Sequence, residues 1–161
     1  MKIVVDTSAL LSLEAGGILE IAAEKLDFVI SPRIMGEITG LSKNNDFEGN
    51  LAKKVLGYLD NEIKIMETSK RFEDGELEIA YLAKEKEDIE FIITDDIEAI
   101  GKMEKISNKP IRFSTMIVYA LCLKGIKTFE QGWKIIERMA VKRAWKDNLI
   151  FENAKLMWNE R

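Results

Sequence analysis

The chain has 161 residues, 47% of them hydrophobic and 32% charged, with a formal net charge of −4. That is the length of one domain with enough apolar material for a sizeable core, and the composition is not that of a disordered chain. One cysteine, Cys122, and no histidine exclude an internal disulfide, multi-cysteine metal sites, Ser-His-Asp triads, Cys-His pairs and histidine metal centres.

Lys2-Ile3-Val4-Val5-Asp6 is a short β-branched run ending in an acid, the pattern of a buried strand. Thr7 or Ser8 can cap the helix that follows, which carries Leu10, Leu11 and Leu13 and breaks or bends at Gly16-Gly17. Ile18 to Leu26 resumes helically, and Phe28-Val29-Ile30 is a second strand. Ser31-Pro32 reads as an N-cap followed by proline at the first helical position. Glu37 lies on that helix and Gly40 fits its end. Asn44 to Asn50 is polar and turn-like, Leu51 to Leu59 is helical, and Ile63 to Met66 is a third strand. Asp74-Gly75 opens a helix that runs through Ala83, and Phe91-Ile92-Ile93-Thr94 is a fourth strand followed by Asp95-Asp96. Ile97 to Ile106 is helical. Lys109 to Phe113 reads as a short edge strand because of Pro110, and Ser114 can cap a helix from Thr115 to Lys124.

Helical connections between strands predict an α/β fold with a mainly parallel sheet over residues 1–125. After Gly125 the pattern is helical only, with Phe129, Trp133, Ile136 and Ala140 on one stripe and Ile150, Ala154, Met157 and Trp158 on another. Residues 126–161 are therefore expected as a helical extension, packed on the same domain or at a dimer interface. They are expected to bury Phe129, Trp133 and Ile136.

Charge divides along the chain. Residues 1–100 hold 11 Lys and Arg against 22 Asp and Glu, a net of −11, whereas residues 101–161 hold 13 against 6, a net of +7. The bland reading is an unevenly charged surface. The sharper one is a basic rim of Lys134, Arg138, Lys142, Arg143 and Lys146 that steers a polyanion such as a nucleic acid toward an acidic crevice, with Trp133, Trp145 or Trp158 available to stack bases. Core packing is the simpler role for Trp133, which sits on the apolar stripe.

The acids carry the main chemical signal. In an open parallel sheet, ligands bind outside the carboxyl ends of the strands. Asp6 ends the first strand, Asp95 and Asp96 follow the fourth, Glu76 opens the helix before it, and Glu37 lies on the helix after the second. If the first and fourth strands are neighbours, these acids converge. Singly, each has a structural alternative: a helix cap for Asp6, a favourable helix N-terminus for Glu76, a solvated face for Glu37, turn residues for Asp95 and Asp96. Together those alternatives leave unexplained why two strands end in acid. Clustered carboxylates repel unless a cation sits among them, and an oxygen-only donor set suits Mg²⁺ or Mn²⁺. The implied chemistry is phosphodiester hydrolysis by metal-activated water. Dinucleotide-binding and P-loop glycine motifs are absent, and Asp6-Thr7-Ser8 lacks the Asp-x-Asp of an aspartyl-phosphate phosphatase.

Four segments resemble the PIN-domain family of metal-dependent ribonucleases, which includes toxin nucleases of VapC type and archaeal RNA-processing proteins. They are Val4-Val5-Asp6-Thr7-Ser8-Ala9-Leu10, Ser31-Pro32-Arg33-Ile34-Met35-Gly36-Glu37-Ile38, Gly75-Glu76-Leu77-Glu78-Ile79-Ala80 and Ile92-Ile93-Thr94-Asp95-Asp96. Order and spacing match over roughly residues 2–124. The resemblance implies a three-layer α/β fold and a Mg²⁺- or Mn²⁺-dependent endoribonuclease. Its metal-binding and catalytic acids would be Asp6, Glu37, Glu76 and either Asp95 or Asp96, with Glu78 ranked lower. Hydroxyls of Thr7 or Ser8 and of Ser114 or Thr115 would support them. The third acid is Glu where toxin members commonly have Asp, and the tail lies outside the family pattern. No apolar run approaches membrane-spanning length and nothing at Met1 reads as a signal peptide, so a soluble cytoplasmic protein is expected, and the resemblance implies that it acts on RNA. A homodimer is the expected assembly, with an antitoxin or an RNA-processing protein as a further partner. The alternative is a catalytically silent PIN-like module that binds RNA or assembles with protein.

Overall fold

A computed structural model of the chain describes residues 1–59, 61–145 and 148–161. Five strands form one parallel sheet: β1 (Lys2–Val5), β2 (Asp27–Ile30), β3 (Ile63–Ile65), β4 (Ile89–Ile93) and β5 (Ile111–Arg112), in the order β3-β2-β1-β4-β5. Each strand must be re-entered from the same end, so every connection carries helix. In chain order the described helices are α1 (Thr7–Ala15), α2 (Leu19–Lys25), α3 (Pro32–Leu41), α4 (Phe47–Leu56), α5 (Gly75–Glu85), α6 (Ile97–Glu104), α7 (Thr115–Leu123), α8 (Phe129–Lys142) and α9 (Leu149–Asn159). The α/β expectation holds, and the sheet is parallel throughout.

The order has a functional consequence. The chain walks outward from β1 to β2 and β3, then returns to the other side of β1 to place β4 and β5. The direction of winding reverses between β1 and β4, where a crevice opens at the carboxyl ends. Val5 pairs with Ile93 there, so Asp6 and the Asp95-Asp96 pair leave the sheet side by side.

Several local details differ from the sequence reading. Of the caps the sequence offers for α1, it is Asp6 and not Thr7 or Ser8 that serves, because its carboxylate already sits at the strand end and accepts the Ala9 N–H at 2.9 Å. Residues 44–50 are not all turn: Asp46 caps α4 through the Gly49 N–H at 2.7 Å, and the helix begins at Phe47. It stops at Leu56, leaving Leu59 to bridge to Ile63. Helix α3 passes Gly40 and ends at Leu41. Strand β4 begins at Ile89, two residues before Phe91. Ser31 caps α3 with Pro32 behind it, as its spacing predicts.

One apolar core runs from Val4, Val5, Phe28 and Val29 in the sheet to Ile136, Met139, Ile150 and Ala154 in the C-terminal helices. The tail is thus part of the same core. Two glycines admit it. A Cβ on Gly16 would lie 2.6 Å from Met139 Cγ, and one on Gly132 would lie 2.4 Å from Cys122 Sγ. Ile136 is fully buried, while Phe129 and Trp133 are half-buried in an aromatic cluster with Tyr119, Phe151 and Trp158. Trp145 and Trp158 are 4% and 7% exposed, and Trp158 Nε1 donates to the Phe129 carbonyl, so their faces belong to the core rather than to stacked bases. Among the described residues no helix is long and apolar enough to cross a membrane.

Candidate active site

Asp6, Glu37, Glu76 and Asp96 line one cavity of about 230 Å³ at the reversal point, with Thr7, Ser8, Glu48 and Arg143 in the same wall. Five acids from separate elements meet there: Asp6 just past β1, Glu37 in the middle of α3, Glu48 in the first turn of α4, Glu76 in the first turn of α5 and Asp96 at the cap of α6.

Asp6 is the most constrained. It is 5% exposed, its Oδ1 accepts from the Ser8 hydroxyl at 2.8 Å and the Ala9 N–H, and its Oδ2 accepts from the Thr94 hydroxyl. Burial pushes its pKa up to about 7, outweighing the three hydrogen bonds that favour the carboxylate, and the Asp95 charge pushes the same way. An acid this costly to ionise is one that a cation would stabilise.

Glu37 is oriented by two donors: the Thr7 hydroxyl to Oε2 at 2.7 Å and the Gly75 N–H to Oε1 at 3.3 Å. The second contact requires glycine. A Cβ on residue 75 would lie 2.5 Å from Glu37 Oε1 and 2.7 Å from Ile34 Cδ1. Glu76 carries an ion pair with Lys102 at 3.0 Å. Asp96 caps α6, its Oδ1 accepting the Glu98 and Ala99 N–H groups at 3.1 and 3.3 Å, while its own N–H donates to Thr94 Oγ1 at 3.0 Å.

The two consecutive aspartates have different roles. Asp95 is not in the cavity wall. Its carboxylate accepts the Ser114 N–H at 2.9 Å and the Ser114 hydroxyl at 2.6 Å, tying β4 to the start of α7. Burial raises its pKa against those bonds, although the residue as a whole keeps partial exposure. The choice left open between Asp95 and Asp96 therefore falls on Asp96 as the cavity acid. Ser114 makes no cap bond to α7, because its hydroxyl is committed to Asp95. Thr115 has a buried hydroxyl without a hydrogen-bond partner among the described residues, so it supports none of these acids. Glu78 is structural: it is 4% exposed and accepts the Arg33 and Phe72 N–H groups at 2.9 and 3.4 Å.

Two residues of the site escape the sequence reading. Thr94, the residue after β4, is fully buried behind the cavity, where its hydroxyl donates to Asp6 and accepts the Asp96 N–H; Glu48 lines the cavity itself. Glu48 lies in the stretch that reads as a turn. Of the expected basic rim, Arg143 lines the cavity itself, Lys134 pairs with Glu130 at 2.7 Å, Arg138 donates to the Gly16 carbonyl at 3.0 Å, and Lys142 is exposed. Lys146 lies outside the described residues.

The donor set fits a hard divalent cation: carboxylates and hydroxyls around a buried, hard-to-ionise Asp6. Among the described residues, however, no three acidic or cysteine side chains are placed to hold one metal ion as they stand. Glu37 and Glu76 would have to turn from Gly75 and Lys102 toward Asp6. No protein-family model matches the chain, and no curated protein matches it.

Proposed function

We propose that the chain is a Mg²⁺- or Mn²⁺-dependent endoribonuclease of PIN type. The observation that carries this reading is the meeting of Asp6, Glu37, Glu76 and Asp96 in one cavity at the winding reversal of a parallel sheet. These four would hold the cation. When bound, such a cation supplies Lewis acidity toward water and charge neutralisation toward a phosphoryl oxygen. The chain's own part is orientation. Thr94 and Ser8 fix the Asp6 carboxylate and the α6 cap holds Asp96, so these two acids are aimed before substrate arrives, while Glu37, held by Thr7 and Gly75, and Glu76, held by Lys102, would turn toward the ion. The single-stranded form of RNA suits a small open cavity better than a duplex does.

The alternative, a silent module that binds RNA or protein, has one observation in its favour: each cavity acid already has a partner within the chain. Cleavage of an end-labelled single-stranded RNA in Mn²⁺, lost in EDTA and restored by Mn²⁺, separates the two. RNA binding without cleavage in any divalent cation would establish the module instead.

A further inference from the structure

The acidic cavity contains one cation from the far end of the chain. Arg143 is the C-cap of α8, and a Schellman turn sets its position: the Trp145 N–H donates to the Ala140 carbonyl at 2.8 Å and the Ala144 N–H to the Val141 carbonyl at 3.3 Å. The turn puts Ala144 at φ 54°, a left-handed conformation that ordinarily calls for glycine. Trp145, 4% exposed, anchors the turn in the core. An unfavourable backbone is thus held in place next to a residue that reaches the candidate site.

The guanidinium itself is underused. The Arg143 side chain is 15% exposed and among the described residues makes one ion pair, Nη1 to Glu48 Oε1 at 2.9 Å, with a Glu48 side chain that is 51% exposed. Its buried Nε has no hydrogen-bond partner among the described residues. A guanidinium carries five donors in a rigid fork, and buried donors call for acceptors. The neighbouring carboxylates are engaged in hydrogen bonds elsewhere, Asp6 with Thr94 and Ser8, Glu37 with Thr7 and Gly75, Glu76 with Lys102, Asp96 with the start of α6, and Asp95, whose charge Arg143 also feels, with Ser114. The acceptor that suits a planar fork beside a cation-binding cluster is a phosphodiester with two free oxygens.

We infer that Arg143 binds an RNA backbone phosphate inside the cavity, with Glu48 holding the fork in position until the phosphate arrives. The inference rests on the ribonuclease reading and adds to it a substrate-binding residue supplied by the C-terminal helices.

The test uses the full chain and labelled single-stranded RNA, with affinity measured by anisotropy in Ca²⁺ and cleavage in Mn²⁺. Arg143→Ala should weaken binding about tenfold or more, flatten the salt dependence by about one phosphate contact, and slow cleavage. Arg143→Lys keeps the charge and a tie to Glu48 but lacks the fork, so it should recover only part of the affinity. Glu48→Gln should bind RNA at least as tightly as the natural chain. If the natural chain cleaves RNA and Arg143→Ala binds and cleaves equally well, the Arg143 inference fails and the nuclease reading stands. Losses in Glu48→Gln as large as those in Arg143→Ala would make the pair a structural tie. Faster cleavage by Arg143→Ala would make Arg143 an internal counter-charge that competes with the metal. Loss of RNA binding in Arg143→Ala, with no cleavage by the natural chain, keeps the phosphate contact and removes the nuclease. A natural chain that neither binds nor cleaves overturns both.

Discussion

The cavity has two unlike walls. On the sheet side, Asp6 and Asp96 are short acids fixed by hydroxyls and backbone N–H groups at strand and helix ends. On the helix side, Glu37, Glu76, Glu48 and Arg143 are long side chains held by one or two contacts each, Glu37 by Thr7 and Gly75, Glu76 by Lys102, and Glu48 and Arg143 by each other. Orientation on the first wall follows from the backbone, which moves little. On the second it follows from rotamers, which change at small cost. The proposed cation site would have a rigid half that fixes where the ion sits and an adjustable half that closes around it.

The rigid wall should therefore show the largest effect. Loss of groups that merely support metal ligands typically costs 10–100-fold, so Asp6→Asn should lower RNA cleavage by at least about 100-fold. It should also stabilise the chain in EDTA. The raised pKa of Asp6, about 7, means the folded chain retains a proton that the unfolded chain releases near the ordinary aspartate value. Stability of the natural chain in EDTA thus falls as pH rises through that interval and levels off above about 7. Asparagine has no such proton, so melts at about pH 5 and about pH 8 should show the variant's advantage growing with pH. An advantage that shrinks at the higher pH would contradict the burial argument.

The aspartate pair sharpens the same contrast one residue at a time. Asp96→Asn should approach the Asp6→Asn loss of cleavage. Asp95→Asn should leave cleavage largely intact and lower thermal stability instead, because the Ser114 tie, not the cavity, loses its acceptor. Parallel turnover and melting measurements on the two variants decide it, and equal losses of turnover would place both acids in the site.

What could be read in advance follows the two walls. β1 and β4 announce themselves as short apolar runs ending in acid, and Asp6, Glu37 and Glu76 fall where those runs and the Ser31-Pro32 and Asp74-Gly75 helix starts put them. Asp95 and Asp96 could not be separated, because the division depends on Ser114, which β5 brings into contact from nineteen residues away. Glu48 was hidden because Asn44 to Asn50 carries no apolar period until Leu51, and only the Asp46 cap starts the helix there. Arg143 read as rim rather than wall because its depth is set by how closely α8 approaches at Gly16 and Gly132, a packing fact with no local signature.

The adjustable wall makes two smaller predictions. Mn²⁺ at 100 times its dissociation constant should add about 2.7 kcal/mol of stability, a melting shift of about 5–10 °C for a chain of this size. EDTA should reverse it. An unmoved melt in saturating Mn²⁺ would mean that Glu37 and Glu76 do not turn inward. Lys102→Met should tighten Mn²⁺ modestly, since it frees Glu76 from an ion pair with an exposed lysine that solvent already weakens. Weaker Mn²⁺ binding in that variant, measured by calorimetry, would mean that Lys102 positions Glu76 for the ion instead of competing with it.

The smallest effect is expected at Asp46, beyond the cavity on the helix side. Its carboxylate caps α4 through Gly49, two residues from Glu48, so it reaches Arg143 only through the helix start. Asparagine caps about as well as aspartate, so Asp46→Asn should leave stability, Mn²⁺ binding and cleavage within error of the natural chain. Asp46→Ala removes the acceptor and should cost about 1 kcal/mol of stability. If α4 frays as a result, the Glu48 tie loosens and RNA affinity changes slightly while Mn²⁺ affinity does not. A large loss of Mn²⁺ binding in Asp46→Asn would break the comparison outright, because an acid on neither wall would then be contributing to the ion.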